Sequence, residues 1–142
     1  MKNIGIVIPH FGASQITYET IKLANNTPDS IIFFENLVSP VNNINCPTLC
    51  INELMSFQGT LVTSNIENTR MAHKLINPKK VKLIFYIWDL EWLRPNKQDY
   101  LYNLQTYYMP NVLMCREDHV APVTNYCNRQ PIIREFKDVK CE

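Results

Sequence analysis

The stretch Leu83–Arg94, LIFYIWDLEWLR, begins as a run of large apolar residues and ends among tryptophans and carboxylates. A continuous apolar run of this length, closed by polar residues, is typical of a strand that is covered on both faces of a parallel sheet. Asp89 follows the run, and Glu91 stands between Trp88 and Trp92. The stretch therefore predicts a central strand whose carboxyl end is followed by aromatic and acidic side chains.

The rest of the chain alternates between similar runs and segments with helical spacing. Predicted strands cover Ile4–Pro9, Ser30–Glu35, Thr60–Thr63, Val81–Trp88, Val112–Cys115 and Ile132–Phe136. Helical spacing begins behind the N-cap candidates Ser14, Asn65 and Asp118, and again near Tyr100. This alternation predicts an open, mainly parallel, Rossmann-like α/β sheet of about six strands with helices on both faces. We predict that residues 36–57 form an irregular connection between strands, in which Leu49–Met55 is either strand or helix.

Length and composition narrow the class of protein. The 142 residues predict a single α/β domain over residues 1–142, with no internal repeat or linker. A formal net charge of +1 argues against a nucleic-acid partner. No apolar stretch approaches the roughly 20 residues of a membrane helix, and the first apolar run ends at His10 without a cleavage pattern. We therefore expect a soluble, cytoplasmic protein with no membrane partner.

The positions of the cysteines and glycines indicate whether the chain has a metal site or a turn that binds a nucleotide cofactor. Cys46 and Cys50 form a C-x₃-C pair, but no second pair completes a zinc site, so reduced thiols and no metal are expected. Gly12 is the only glycine in the first turn, whereas a dinucleotide-binding turn reads G-x-G-x-x-G. The sequence accordingly predicts no cofactor.

Ligands of open parallel sheets bind beyond the carboxyl ends of the strands, and titratable residues follow several predicted strands here. Our candidate catalytic residues are His10, Asp89 and Glu91. The candidate ligand-binding residues are Gly12, Ser14, Trp88, Trp92, Asp118 and His119. Each has a structural alternative. In these alternatives His10 only ends a strand and Asp118 only caps a helix. The two tryptophans are four residues apart, so they either share a helical face at a sugar-binding rim or are buried as core packing residues.

Three segments together resemble the N-terminal, acceptor-side half of a GT-B glycosyltransferase. They are IGIVIPHFG at residues 4–12, FYIWDLEW at 85–92 and NVLMCREDHVAPVTNYCNRQPIIREF at 111–136. Cys115-Arg116-Glu117 stands where the family usually has a serine. The resemblance implies a carbohydrate ligand and a cleft lined by His10, Asp89 and Glu91. Because it covers only the acceptor-side half, it implies one of three things: a subunit that works with a partner chain carrying the nucleotide-sugar donor domain, a truncated relic, or a binding domain on its own. The asparagine-rich, glycine-poor composition also resembles that of tailed-phage proteins.

A second interpretation requires no catalysis. The helix that contains Tyr100, Tyr102, Tyr107 and Tyr108 carries an unusual share of the aromatic residues. Tyrosines are enriched at protein interfaces. The alternative is thus a non-enzymatic binding or assembly module that forms a homo-oligomer through this helix.

Overall fold

The computed structural model of the protein describes residues 3–8, 14–35, 44–93 and 100–141. Its strands are β1 (Ile4–Val7), β2 (Ser30–Phe34), β3 (Thr48–Cys50), β4 (Gly59–Thr63), β5 (Val81–Tyr86), β6 (Val112–Cys115) and β7 (Ile132–Ile133). They form one open sheet in the order β3-β2-β1-β4-β5-β6-β7, and every neighbouring pair is parallel. The predicted Rossmann-like α/β class is confirmed, while a single domain over residues 1–142 stays a prediction.

Four α-helices connect the strands: α1 (Gln15–Asn25), α2 (Ile66–Leu75), α3 (Tyr100–Thr106) and α4 (Val120–Cys127). Short 3₁₀ helices cover Ile51–Ser56, Glu91–Leu93, Glu117–His119 and Phe136–Cys141. Two predicted N-caps are confirmed, because Ser14 Oγ accepts from the Thr17 N–H at 3.3 Å and Asn65 Oδ1 accepts from the Asn68 N–H at 2.7 Å. Within the described ranges, no helix has the length and apolarity to cross a membrane.

The sheet has seven strands instead of about six. The additional strand, β3, lies at an edge and has only three residues, of which two are exposed. It therefore lacks the apolar run that marks the inner strands. The open alternative at Leu49–Met55 resolves into both states, since β3 passes directly into the 3₁₀ helix Ile51–Ser56.

Four predicted strands extend past the observed ends, slightly at β1 and β2, which stop at Val7 and Phe34, and also at β5 and β7. Strand β5 stops at Tyr86, although Ile87 still donates to the carbonyl of Met114 in β6 at 2.8 Å. Strand β7 contains two residues, and Phe136 begins a 3₁₀ helix that packs on the sheet. The apolar Phe136 is thus buried by helix packing and not by strand pairing.

Alternate side chains of the strands point to opposite faces of the sheet. Ile6, Ile32 and Ile84 belong to one core cluster, which α1 and the 3₁₀ helix Phe136–Cys141 cover. The other face has two clusters, one beneath the 3₁₀ helix Ile51–Ser56 and α2, and one beneath α3 and α4. Both faces of the sheet are thus buried, which explains the continuous apolar runs of the inner strands.

Strand β4 begins with a close backbone approach. Gly59 has φ +140°, and a Cβ atom added there would collide with the carbonyl oxygen of Asn3. The same carbonyl accepts the Thr60 N–H at 3.0 Å, in line with the pairing of β1 and β4. The observed pairing of β1 and β4 at the centre of the sheet therefore requires glycine at position 59.

Candidate functional site

The order of the strands reverses between β1 and β4. The chain moves outward from β1 through β2 to β3, then crosses back so that β4 lies on the other side of β1. At such a switch point the connections leave in opposite directions and open a crevice at the carboxyl ends of the strands. The described residues at this crevice are Ser64 and Asn65, which follow β4, and the first turn of α2. The candidates His10 and Gly12 lie outside the described residues.

Two side chains cap the N-terminus of α2. Asn65 is the N-cap, and its side chain accepts the Asn68 N–H at 2.7 Å. Glu91 reaches from the loop after β5, and its Oε2 accepts the Ile66 N–H at 3.0 Å. A carboxylate at this position is favourable because the first N–H groups of a helix carry a partial positive charge. Glu91, a candidate catalytic residue, therefore lies at the switch point and binds the end of a helix.

Next to this cap, two buried polar groups have no hydrogen-bond partner among the described residues. They are Ser64 Oγ and Asn68 Oδ1, in residues only 5% and 2% exposed. The neighbouring hydroxyls differ, since Thr63 Oγ1 and Thr69 Oγ1 lie 2.6 Å apart and pair with each other. Buried polar groups are rarely left unpaired in folded proteins, because desolvation without a new hydrogen bond costs roughly 1–3 kcal/mol. The first turn of α2 thus contains buried polar atoms whose hydrogen-bonding capacity the described residues leave unused.

Further unpaired oxygens lie on the α3 side. Tyr107 is fully buried, and neither its hydroxyl nor Asn103 Oδ1 has a partner within the described part of the chain. Burial, and then the charge of Glu91, raises the pKa of Tyr107 above its usual value. Arg70 of α2 fixes the position of α3, because its Nη1 donates to the carbonyl of Tyr102 at 3.0 Å and to Thr106 Oγ1 at 3.2 Å.

A cleft of about 550 Å³ runs along α2 from the residue that follows β2. The Arg70 guanidinium lies in its wall, 3.8 Å from the centre of the Tyr102 ring. The lining residues are Glu35, Asn52, Glu67, Arg70, Met71, Lys74, Leu75 and Tyr102. This space is large enough for a small molecule and has both acidic and basic walls.

The two tryptophans do not share a face. Trp88 packs edge-to-face on Phe136, in the cluster beneath α1. Trp92 packs in the cluster of the opposite face, where its ring is stacked on Tyr126 with centroids 4.0 Å apart. The expectation of a shared helical face is wrong, because the turn after β5 carries the chain across the end of the sheet. Both rings make the packing contacts of the structural alternative, and a ligand role stays a prediction.

Asp118 follows β6 but does not cap α4 as expected. The N-cap is His119, without a side-chain cap bond, and Asp118 lies inside the preceding 3₁₀ turn. Asp118 instead pairs with Arg116, with Oδ1 and Nε 3.5 Å apart, and His119 Nε2 lies 3.3 Å from Arg116 Nη2. Arg116 and Asp118 are exposed and His119 is half-buried, and all three stand beyond β6, two strands away from β4.

The remaining candidates have definite places. Asp89 is exposed in the turn after β5, and the Ser14 hydroxyl is used in capping α1. Because β1, β4, β5 and β6 are parallel, the residues after them all lie at the same edge of the sheet. Ser64 and Asn65 directly follow the predicted strand Thr60–Thr63 and are recognisable from the sequence as polar residues at a strand end. The sequence did not identify Asn68 or Asn103, and it placed Tyr107 on an interface helix, because exposure and partners depend on how α2 and α3 pack.

No metal centre is formed by the described residues, since no three His, Cys, Asp or Glu side chains converge. The four cysteines for which the structure gives side chains, Cys46, Cys50, Cys115 and Cys127, are free thiols. Comparison of the chain with known protein families, curated proteins and solved structures finds no significant match.

Proposed function

We propose that the chain binds a small polar ligand at the switch point between β1 and β4, as the acceptor-side domain of a glycosyltransferase-like system. The observation that carries the proposal is the pair of buried, unpartnered atoms Ser64 Oγ and Asn68 Oδ1 at the first turn of α2. They stand where open parallel sheets bind their ligands. A cleft of about 550 Å³, lined by Glu67, Arg70 and Lys74 among others, lies along the same helix.

The glycosyltransferase part of the proposal draws on the resemblance of residues 4–12, 85–92 and 111–136 to the GT-B family. It implies a carbohydrate ligand and a partner chain that carries the nucleotide-sugar site. Catalytic roles for His10, Asp89 and Glu91 remain part of this proposal. A fold of this class supports many activities, so the ligand has to be established by binding.

The test is a titration of the ¹⁵N-labelled chain with glucose, followed by amide chemical shifts. We expect concentration-dependent shifts at residues 64–69. Ser64→Ala should weaken binding about fivefold, as expected for one lost hydrogen bond. Ser56→Ala, at an exposed position in the 3₁₀ helix Ile51–Ser56, serves as the matched control. Shifts confined to other parts of the chain, or equal affinity of the Ser64→Ala variant, would contradict the proposal.

A second candidate function is self-association through α3. Four large apolar side chains on α3 or close to its two ends are strongly exposed, namely Leu93, Tyr100, Leu101 and Tyr108 at 57–67%. Exposed apolar groups of this kind often mark contacts with another protein. Sedimentation at several concentrations tests the idea, with Leu101→Ser expected to abolish a dimer. Tyr18→Ser, at a residue of α1 that is 50% exposed, is the control. A monomer at all concentrations would eliminate this function.

A further inference from the structure

We propose that the cleft along α2 binds a short zwitterionic peptide of about three residues, with its ammonium group toward the carboxyl edge of the sheet and its carboxylate toward the amino edge. The side chains that line the cleft are exposed or half-buried, so a ligand has direct access to them. The proposal does not depend on the proposed function, because the buried Ser64 and Asn68 lie outside the lining of this cleft. It assigns the chain a second binding site.

The charges of the cleft are sorted along its length. A helix that connects two parallel strands runs back across the sheet, so the first turn of α2 lies at the carboxyl edge. Glu67, in that turn, and Glu35, which directly follows β2, therefore share this edge. Lys74 lies in the last turn of α2, on the same helical face as Glu67. One end of the cleft is thus acidic and the other basic.

These charged groups are available to a ligand. Among the residues that the structure describes, Glu35, Glu67 and Lys74 take part in no ion pair or side-chain hydrogen bond. A ligand with one positive and one negative end can pair with both ends of the cleft. A simple anion is repelled by the carboxylates at one end, and a simple cation is repelled by the basic groups at the other.

Arg70 places a second, fixed cation in the wall between Glu67 and Lys74. Its guanidinium stacks on the Tyr102 ring, and its Nη1 donates to the Tyr102 carbonyl at 3.0 Å and to Thr106 Oγ1 at 3.2 Å. Both bonds use Nη1, which leaves Nη2 and Nε as donors for a ligand. A guanidinium that is already held in place loses little freedom when it binds an oxygen. Arg70 is therefore suited to bind a carbonyl or carboxylate oxygen of the ligand.

The uncharged lining fits the middle of a peptide. Met71 and Leu75 are half-buried and provide an apolar surface for a side chain. The exposed amide of Asn52 has both donors and an acceptor, as a peptide group does. Glu67 and Lys74 are separated by about 10.5 Å along the helix axis. An extended peptide spans about 3.3–3.6 Å per residue, so about three residues match this distance.

The experiment titrates the ¹⁵N-labelled full chain with the tripeptide alanyl-leucyl-alanine at constant ionic strength and follows the amide shifts of residues 70–75. The free tripeptide should shift these amides in a concentration-dependent manner. Its N-acetylated analogue lacks the ammonium group, and its C-amidated analogue lacks the carboxylate. Each analogue should bind at least about fivefold more weakly, because each loses a charge-assisted hydrogen bond.

Variants assign each end of the peptide to its wall. Glu67→Gln should reduce the loss that acetylation causes, and Lys74→Gln should reduce the loss that amidation causes. Both residues are exposed, so the variants should fold as the wild type does. Glu53→Gln and Lys79→Gln are the matched controls, because they remove exposed charges that do not line the cleft. Each control should discriminate among the peptides as the wild type does.

Two results would overturn the proposal. One is a tripeptide that leaves residues 70–75 unshifted, and the other is equal binding of the tripeptide and its analogues. A control variant that alters discrimination as much as Glu67→Gln would also overturn it, because the effect would then arise from general surface charge. Glucose shifts at residues 64–69 report on the proposed function separately, so either site can fail while the other stands.

Discussion

Glu91 and Ile66 are 25 residues apart, yet a 3.0 Å hydrogen bond joins the carboxylate of the first to the backbone N–H of the second. The bond links the loop after β5 to the beginning of α2. It therefore connects two neighbouring strand–helix crossings at the carboxyl edge of the sheet. The stability of this edge should depend on the Glu91 side chain whatever ligand the site binds.

Replacing Glu91 should destabilise the fold moderately. Glu91→Ala leaves the first N–H of α2 without its carboxylate and should lower the free energy of unfolding by about 1 kcal/mol. Glu91→Gln retains an acceptor oxygen and should lose less. Urea denaturation measures both values, and Glu53→Ala reports the effect of losing an exposed glutamate. A stability of Glu91→Ala equal to that of the wild type would show that the cap does not support the fold.

The stacked pair of Trp92 and Tyr126 should show coupled effects. Their rings are nearly parallel, 4° apart, and Trp92 also meets Tyr107 edge-to-face. A double-mutant cycle with Trp92→Leu and Tyr126→Leu should give a coupling energy of about 0.5–1.5 kcal/mol. Trp88→Leu combined with Tyr126→Leu is the control. Because Trp88 belongs to the core on the other face, those two effects should add.

Arg129 should be sensitive even to a conservative change. Its guanidinium donates to the carbonyls of Tyr107, Pro110 and Asn111, at 2.8–2.9 Å, and so holds the segment between α3 and β6. A lysine ammonium lacks the planar fork that spans three acceptors, so Arg129→Lys should cost about 1–3 kcal/mol. Arg116→Lys, at an exposed site, should change stability by less than about 0.5 kcal/mol. Comparable losses in thermal unfolding for the two variants would be incompatible with this role.

Gly59→Ala should destabilise the centre of the sheet. The added methyl group would meet the carbonyl of Asn3, and φ +140° is a conformation that alanine rarely adopts. We expect a loss of about 1–3 kcal/mol in urea denaturation. Ser56→Ala provides a nearby exposed control. An unaltered midpoint for Gly59→Ala would mean that β1 and β4 can separate at this end without penalty.

Stability should decline in mild alkali partly through Cys115. Burial, and then the charge of Asp118, raises the pKa of this thiol from 9.0 to about 11. Since the unfolded thiol releases its proton first, the free energy of unfolding decreases as pH rises through that interval. Cys115→Ala should reduce this decrease, while the buried tyrosines Tyr86 and Tyr107, whose pKa values are also raised, contribute above about pH 10. Denaturation at several pH values tests this, and parallel curves for both proteins would contradict it.

The inner sheet was predictable because its strands are buried on both faces. The runs at Ile4–Val7, Val81–Tyr86 and Val112–Cys115 consist almost entirely of apolar residues, so their burial can be predicted from the sequence. The starts of α1 and α2 were predictable because Ser14 and Asn65 cap them by local hydrogen bonds. Strand β3 was missed because an exposed edge strand of three residues has no such pattern.

The candidate site was predictable only in its location. Parallel strands bring their carboxyl ends together, so the edge followed from the fold class. The contact of Glu91 with Ile66 and the separation of Trp88 from Trp92 depend on the path of the loop after β5. That path is set by long-range packing, which local sequence patterns do not contain. Asp118 was expected to cap α4 because aspartate favours that position, but an additional 3₁₀ turn shifts the helix start beyond it.

The place of β1 in the middle of the sheet has a consequence for biosynthesis. As the nascent polypeptide leaves the ribosome, β1 can pair with β2 once residue 34 has emerged, but its other neighbour is complete only with residue 63. During that interval one side of β1 presents unpaired amides and carbonyls beside apolar side chains. The topology therefore delays completion of the centre of the sheet until β4 has been synthesised.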